Sequence, residues 1–99
     1  MTEKVTEQQI AEWKEKYTQV VEAKADEHVA YFRKPTRQEL SYAMTLQQSG
    51  KNLEMLEHIL KSCHLGGSKI FYQNADYMLG AAGVVEQLVK VKQVEVKNL

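Results

Sequence analysis

Apolar residues in this chain recur mostly at helical spacing, with one stretch at strand spacing. Ile10, Trp13 and Tyr17 recur at steps of three and four, so they share one helix face, with Glu12, Lys14, Glu15 and Lys16 largely opposite. Thr6-Glu7-Gln8-Gln9 has the form of a capping box, in which the Thr6 hydroxyl takes an orphan backbone N–H and Gln9 reaches back. A helix is predicted over 6–17. The period then changes. Residues 19–24 and 28–33 are rich in β-branched and aromatic side chains and flank Ala25-Asp26-Glu27, which is a hairpin pattern. The turn lacks Asn-Gly or Asp-Gly, and 23–30 would also suit a continued helix, because Ala, Glu and Lys favour one.

Pro35 biases Lys34 toward an extended conformation and ends whatever precedes it. Thr36-Arg37-Gln38-Glu39 is a second capping box, and Leu40, Ala43, Met44 and Leu46 or Gln47 form the apolar face of a helix over 36–48. Gly50 sits where a left-handed residue closes such a helix. Asn52 is placed to cap a third helix, 52–64, whose face is Leu53, Leu56, Ile59, Leu60 and Cys63. Gly66-Gly67 is read as its stop. The short link at 49–51 predicts an antiparallel helical hairpin.

Residues 68–73 fit either a short helical turn or a loop pinned by aromatics. Asn74 is placed to cap a fourth helix, 75–92, with Met78, Leu79, Ala82, Val85, Leu88 and Val89 on its face. Gly80 and Gly83 weaken it by roughly 1 kcal/mol each relative to alanine. The imperfect alternation over 89–97 suits a helix end, an edge strand, or a tail that orders on a partner. The expected fold is α+β and mostly helical: an N-terminal helix, a small β-hairpin, a helical hairpin and a C-terminal helix. The alternative is an all-α bundle.

Ninety-nine residues make a single domain with one core. Hydrophobic residues at 43% and charged residues at 26% are ordinary for a globular chain. Thirteen Lys+Arg balance thirteen Asp+Glu, so the basic surplus typical of a general nucleic-acid binder is missing. No apolar run approaches the ~20 residues of a membrane span. The first residues carry no apolar signal core, and the one cysteine, Cys63, cannot form an internal disulfide. Both point to the cytoplasm.

The residues that could carry chemistry do not assemble into a reactive pattern. His58 and Cys63 lie five apart, pointing away from each other on a helix, and zinc pairs are normally closer. Cys63 and His64 are neighbours, which do not face each other on a helix as a nucleophile and base must. Gly66-Gly67-Ser68-Lys69 lacks the spacing of a phosphate loop and follows a helix instead of a strand. The carboxylate pairs Asp26-Glu27, Glu54 with Glu57, and Glu12 with Glu15 sit among lysines or on solvent faces, where nothing perturbs a pKa. The expectation is no enzyme, no metal and no cofactor. One dense basic cluster, Arg33-Lys34-Pro35-Thr36-Arg37, places positive charge at a helix N-terminus, against the macrodipole. Such a local conflict marks either a tertiary salt bridge or a partner surface.

The segment Tyr31-Phe32-Arg33-Lys34-Pro35-Thr36-Arg37, the helix after it and the run Cys63-His64-Leu65-Gly66-Gly67 resemble the tail assembly chaperones of tailed phages. These small proteins carry an aromatic-Arg-Lys-Pro step, a helical hairpin and a Cys-x-x-Gly-Gly stop. The likeness covers about 28–68; where the group has an aromatic after the cysteine, this chain has His64. It implies a non-enzymatic protein of the bacterial host cytoplasm that binds tail proteins such as the tape-measure and tail-tube proteins, with a homo-oligomer also allowed; the alternatives left by the residues are a small helical adaptor and a nucleic-acid-binding domain using Arg33, Lys34 and Arg37. Tyr31, Arg33, Lys34, Arg37, Tyr42, Tyr72 and Tyr77 are the candidate partner-binding residues. Met44, Met55 and Met78 offer adaptable contacts, against the plainer reading that most methionines are core.

Overall fold

The computed structural model describes residues 5–17, 19–89 and 93–99. Its elements are α1 (Glu7–Lys16), β1 (Val20–Ala25), β2 (His28–Arg33), α2 (Arg37–Gln48), α3 (Asn52–Cys63), β3 (His64–Gly67), α4 (Ile70–Gln73), α5 (Ala75–Gly80) and α6 (Ala82–Leu88). The architecture is α+β and mostly helical, with one antiparallel sheet in the order β1-β2-β3.

Both capping boxes form. Gln9 N–H donates to Thr6 Oγ1 at 3.2 Å, and Thr6 N–H donates to Gln9 Oε1 at 2.9 Å. Glu39 N–H donates to Thr36 Oγ1 at 3.2 Å, and Thr36 N–H donates to Glu39 Oε1 at 2.8 Å. Gly50, at φ +77°, closes α2 in the left-handed region as expected. Asn52 does not cap α3. It is the first helical residue, and Lys51 in the cap position makes no side-chain bond. The tight turn explains this: Gly50 N–H donates to Gln47 O and Lys51 N–H to Leu46 O, so the link is spent before an extended cap residue can fit. Helices α2 and α3 run antiparallel, with His58 Nε2 3.2 Å from Glu39 O and the His58 ring 4.7 Å from that of Tyr42.

The hairpin forms around Asp26-Glu27, with Asp26 at φ +55°, a conformation aspartate tolerates better than most residues. Its register pairs Ala23 with Ala30 and Val21 with Phe32, which puts these four on one face. Tyr31 and Arg33 lie on the other.

A third strand corrects the reading of Gly66-Gly67 as only a helix stop. The chain leaves Cys63 directly into β3, which pairs Ala30 with Gly67, Tyr31 with Gly66 and Phe32 with His64 around a bulge. The glycines allow this closeness. Gly67 has φ +92°, and a Cβ there would collide with the Val29 carbonyl and lie 2.8 Å from Ala30 Cα. A Cβ on Gly66 would lie 2.9 Å from Trp13 Cη2.

The predicted fourth helix is two helices. Asn74 caps α5 as expected, its Oδ1 accepting from the Asp76 and Tyr77 amides. The helix then breaks at Ala81, whose N–H is shared between the Tyr77 and Met78 carbonyls, a tightened last turn. Glycine at 80 and 83 weakens helix on both sides of the break, while Ala81 itself is buried. Leu79, expected on the inner face, is 62% exposed. Positions 90–92 of the predicted helix lie outside the described residues. Residues 93–99 are neither helix nor strand, and they are exposed.

Phe32, Leu60, Leu88 and Cys63 are the largest fully buried side chains. They join Ala23, Ala30, Ile59, Phe71, Met78, Ala81 and Val85 in one core between the sheet and the helices that follow it. Helix α1 has no buried residue; it lies on the opposite sheet face, where the Trp13 and Tyr31 rings meet at 5.8 Å. Among the described residues no helix is long and apolar enough to cross a membrane.

Candidate functional site

The basic cluster is built around one ion pair. Arg33 ends β2 and Glu39 occupies the third position of α2, and Pro35 turns the chain so that the two meet. The guanidinium donates to both carboxylate oxygens at 2.9 Å and to Ser62 O at 2.7 Å, tying β2 to the ends of α2 and α3. The fork geometry makes this stronger than a single charged contact. Glu39 thus serves twice, in the capping box and in the ion pair. The conflict seen in the sequence at Arg33 resolves as a structural salt bridge. Arg37 and Lys34 are exposed.

Hydrogen bonds from Arg33 hold the Glu39 carboxyl at about 2, against the opposing push of desolvation and with help from the Thr36 amide. Because its folded pKa lies below the ordinary value of about 4.3, the pair stabilises the fold above that value, and the contribution fades as pH falls through about 2. Urea titrations should therefore show wild-type stability dropping between about pH 5 and 2, with a visibly flatter drop in Glu39→Gln. Parallel curves for the two proteins would remove the ion pair from the account.

The remaining candidates scatter. Tyr31 OH donates to Glu22 across the hairpin at 2.7 Å, which raises its pKa. Tyr77 OH donates to Asp26 at 2.6 Å, linking α5 to the hairpin turn. Tyr72 is half-buried and packs its ring on His64 at 5.3 Å. Tyr42 is 55% exposed on α2. Tyr31 and Arg33 share the α1 face of the sheet, whereas Tyr72 and Tyr77 stand on the core side. The seven residues therefore form no single surface.

Cys63 is completely buried, and burial pushes its thiol up to about 12, the behaviour of a small apolar side chain instead of a nucleophile. Ser68 is also buried, with its Oγ 3.0 Å from His28 Nδ1 and 3.3 Å from the Ile70 amide it accepts from. It joins β3 to the hairpin and α4. Among the described residues no three His, Cys, Asp or Glu side chains cluster closely enough to hold a metal ion.

Spacing could not anticipate the grooves. One of about 200 Å³ lies between α2, α3 and α6, with Leu40, Met44, Met55, Ile59, Val85 and Val89 on its walls. Met44 at its rim is 57% exposed and Met55 half-buried, while Met78 belongs to the core. A second groove, of about 590 Å³, runs between β1 and the α5–α6 pair. The sequence signal for the first was only that Met44 and Leu40 sit on one helical face. Compared with protein-family models, curated proteins and solved structures, the chain matches none of them.

Proposed function

We propose that this protein holds another polypeptide without catalysing a reaction, as a tail assembly chaperone of a tailed phage or prophage in the bacterial cytoplasm. The observation that carries the reading is the methionine-rimmed groove between α2, α3 and α6. An amphipathic helix laid in such a groove buries one apolar face, and methionine adapts to varied side chains because it is unbranched and polarizable. The balanced net charge supports a protein partner over a nucleic acid, and pairing Arg33 with Glu39 takes one cation out of the basic cluster. The choice of tail proteins, the tape-measure protein first, rests on the likeness of 31–37 and of the run from Cys63 to Gly67.

Purified protein should retain a tape-measure protein in a pull-down. Met44→Asp should reduce that retention by about tenfold or more, since a charge would enter an apolar contact. Its melting temperature should be unchanged, because Met44 is exposed. No retention, or equal retention by Met44→Asp, would sink the reading.

A further inference from the structure

β1 ends the sheet, and among the described residues no strand pairs with its outer side. Such an edge offers unpaired backbone groups to another strand. Grooves flank this edge on both faces. The one of about 590 Å³ is walled by Ala23, Ala25, Tyr77, Ala81 and Val84, and a Cβ on Gly80 or Gly83 would meet nothing within 4 Å, so room remains in it. The other lies between α1 and β1, beside Ile10 and Val20.

The segment that matches this edge is 93–99. It exposes Val94 at 77%, Val96 at 88% and Leu99 fully, a costly display for apolar side chains. The radius of gyration, 14.8 Å, exceeds the ~13 Å of a compact domain of this size, as an outlying arm would make it.

Antiparallel pairing of Val96 with Ala23 places Val94 beside Ala25, with both valines toward the α5–α6 groove, where the two paired positions of β1 carry only alanine. It places Glu95 beside Lys24, Lys97 beside Glu22, and Leu99 beside Val20 at the α1 groove. Sliding by two residues puts Glu95 beside Glu22 or Lys97 beside Lys24. Sliding by one turns the valines to the wrong face. Charge and pattern therefore select one register.

The donor is a second copy. Gln19 Nε2 donates to Gln87 O at 3.3 Å, so α6 ends beside the start of β1. Antiparallel pairing needs Gln93 at the far end of that strand, ~20 Å away. The chain from Leu88 to Gln93 reaches at most ~18 Å fully extended, with nothing left for a turn.

We infer that residues 93–99 of one copy of this chain add as an antiparallel strand to the free edge of β1 in a second copy, with Glu95 against Lys24 and Lys97 against Glu22. Made reciprocally the contact closes a dimer; repeated head to tail it builds a chain of copies.

Sedimentation velocity of the full chain from micromolar to millimolar concentration tests this. Association should appear, and Val96→Asp should weaken it by about tenfold or more. Glu95→Lys should weaken it too, and Lys24→Glu in the same chain should restore it. Both Lys24 and Val96 are exposed, so these variants keep the fold. A Val96→Asp chain mixed with a Gly83→Trp chain, whose groove is filled but whose 93–99 segment is intact, should give a one-to-one complex. A monomer at every concentration, association indifferent to Val96→Asp, or no rescue by Lys24→Glu would each overturn the proposal. Hydrogen exchange showing 93–99 protected within a monomer would overturn it as well, in favour of the chain's own groove.

Discussion

Replacing Phe32 with alanine is expected to lower the unfolding free energy by about 3 to 5 kcal/mol. The ring is completely buried on the central strand. It meets the His64 ring edge-on at 5.6 Å and the Phe71 ring at 6.3 Å, so one truncation removes contacts to β3 and α4 together. The cavity would be walled by sheet and helices that cannot easily collapse, which sets the cost high in the range. A domain of this size loses roughly 4 to 8 °C of melting temperature per kcal/mol, and total stability is typically only about 5 to 15 kcal/mol. Phe32→Ala should therefore melt more than about 12 °C lower in calorimetry, while Leu79→Ala, at an exposed side chain, should stay within about 0.5 kcal/mol of wild type. An unshifted Phe32→Ala melt would place the ring outside the core.

Gly67→Ala is expected to cost roughly 3 kcal/mol or more. Two effects add. A residue with a Cβ at φ +92° is strained by about 1 to 3 kcal/mol. The new methyl would also press on the Val29 carbonyl and Ala30 Cα, which are backbone atoms of the central strand and cannot swing aside. Gly66→Ala is the contrast. Its neighbours are the rim of Trp13 at 2.9 Å and Val5 Cγ2 at 3.2 Å, both side-chain atoms. Helix α1, which carries Trp13, has no buried residue to resist a small shift. Urea midpoints for the two variants should separate clearly, and equal midpoints would refute the close approach at Gly67.

Local chemistry explains why some elements could be read directly and others could not. Thr6 with Gln9 and Thr36 with Glu39 satisfy their own helix ends within four residues, so both helices start where the pattern says. The hairpin was legible from its β-branched and aromatic flanks despite an uncommon turn. β3 was not. It has four residues, two of them glycine, and no strand propensity of its own; the edge of β2 makes it a strand. The break at Ala81 likewise depends on Ala81 reaching the core, while Gly80 and Gly83 announce only a weak helix. At the candidate site, the misplaced charge of Arg33 signalled a tertiary partner, but Glu39 already had a local job in its cap, which concealed its second one. The grooves needed three dimensions, because Met44, Met55 and Val85 come from three different helices.

The placement of β3 also has a kinetic meaning. Ala30 and Gly67 are neighbours across the sheet but are separated in the chain by two whole helices. The β1–β2 hairpin and the α2–α3 hairpin can each assemble from nearby residues, whereas the third strand docks only after a long loop has closed, at an entropic cost that grows with its length. Prior collapse of the helical hairpin shortens that loop, so the order of events leads from the two hairpins to the strand that locks them together.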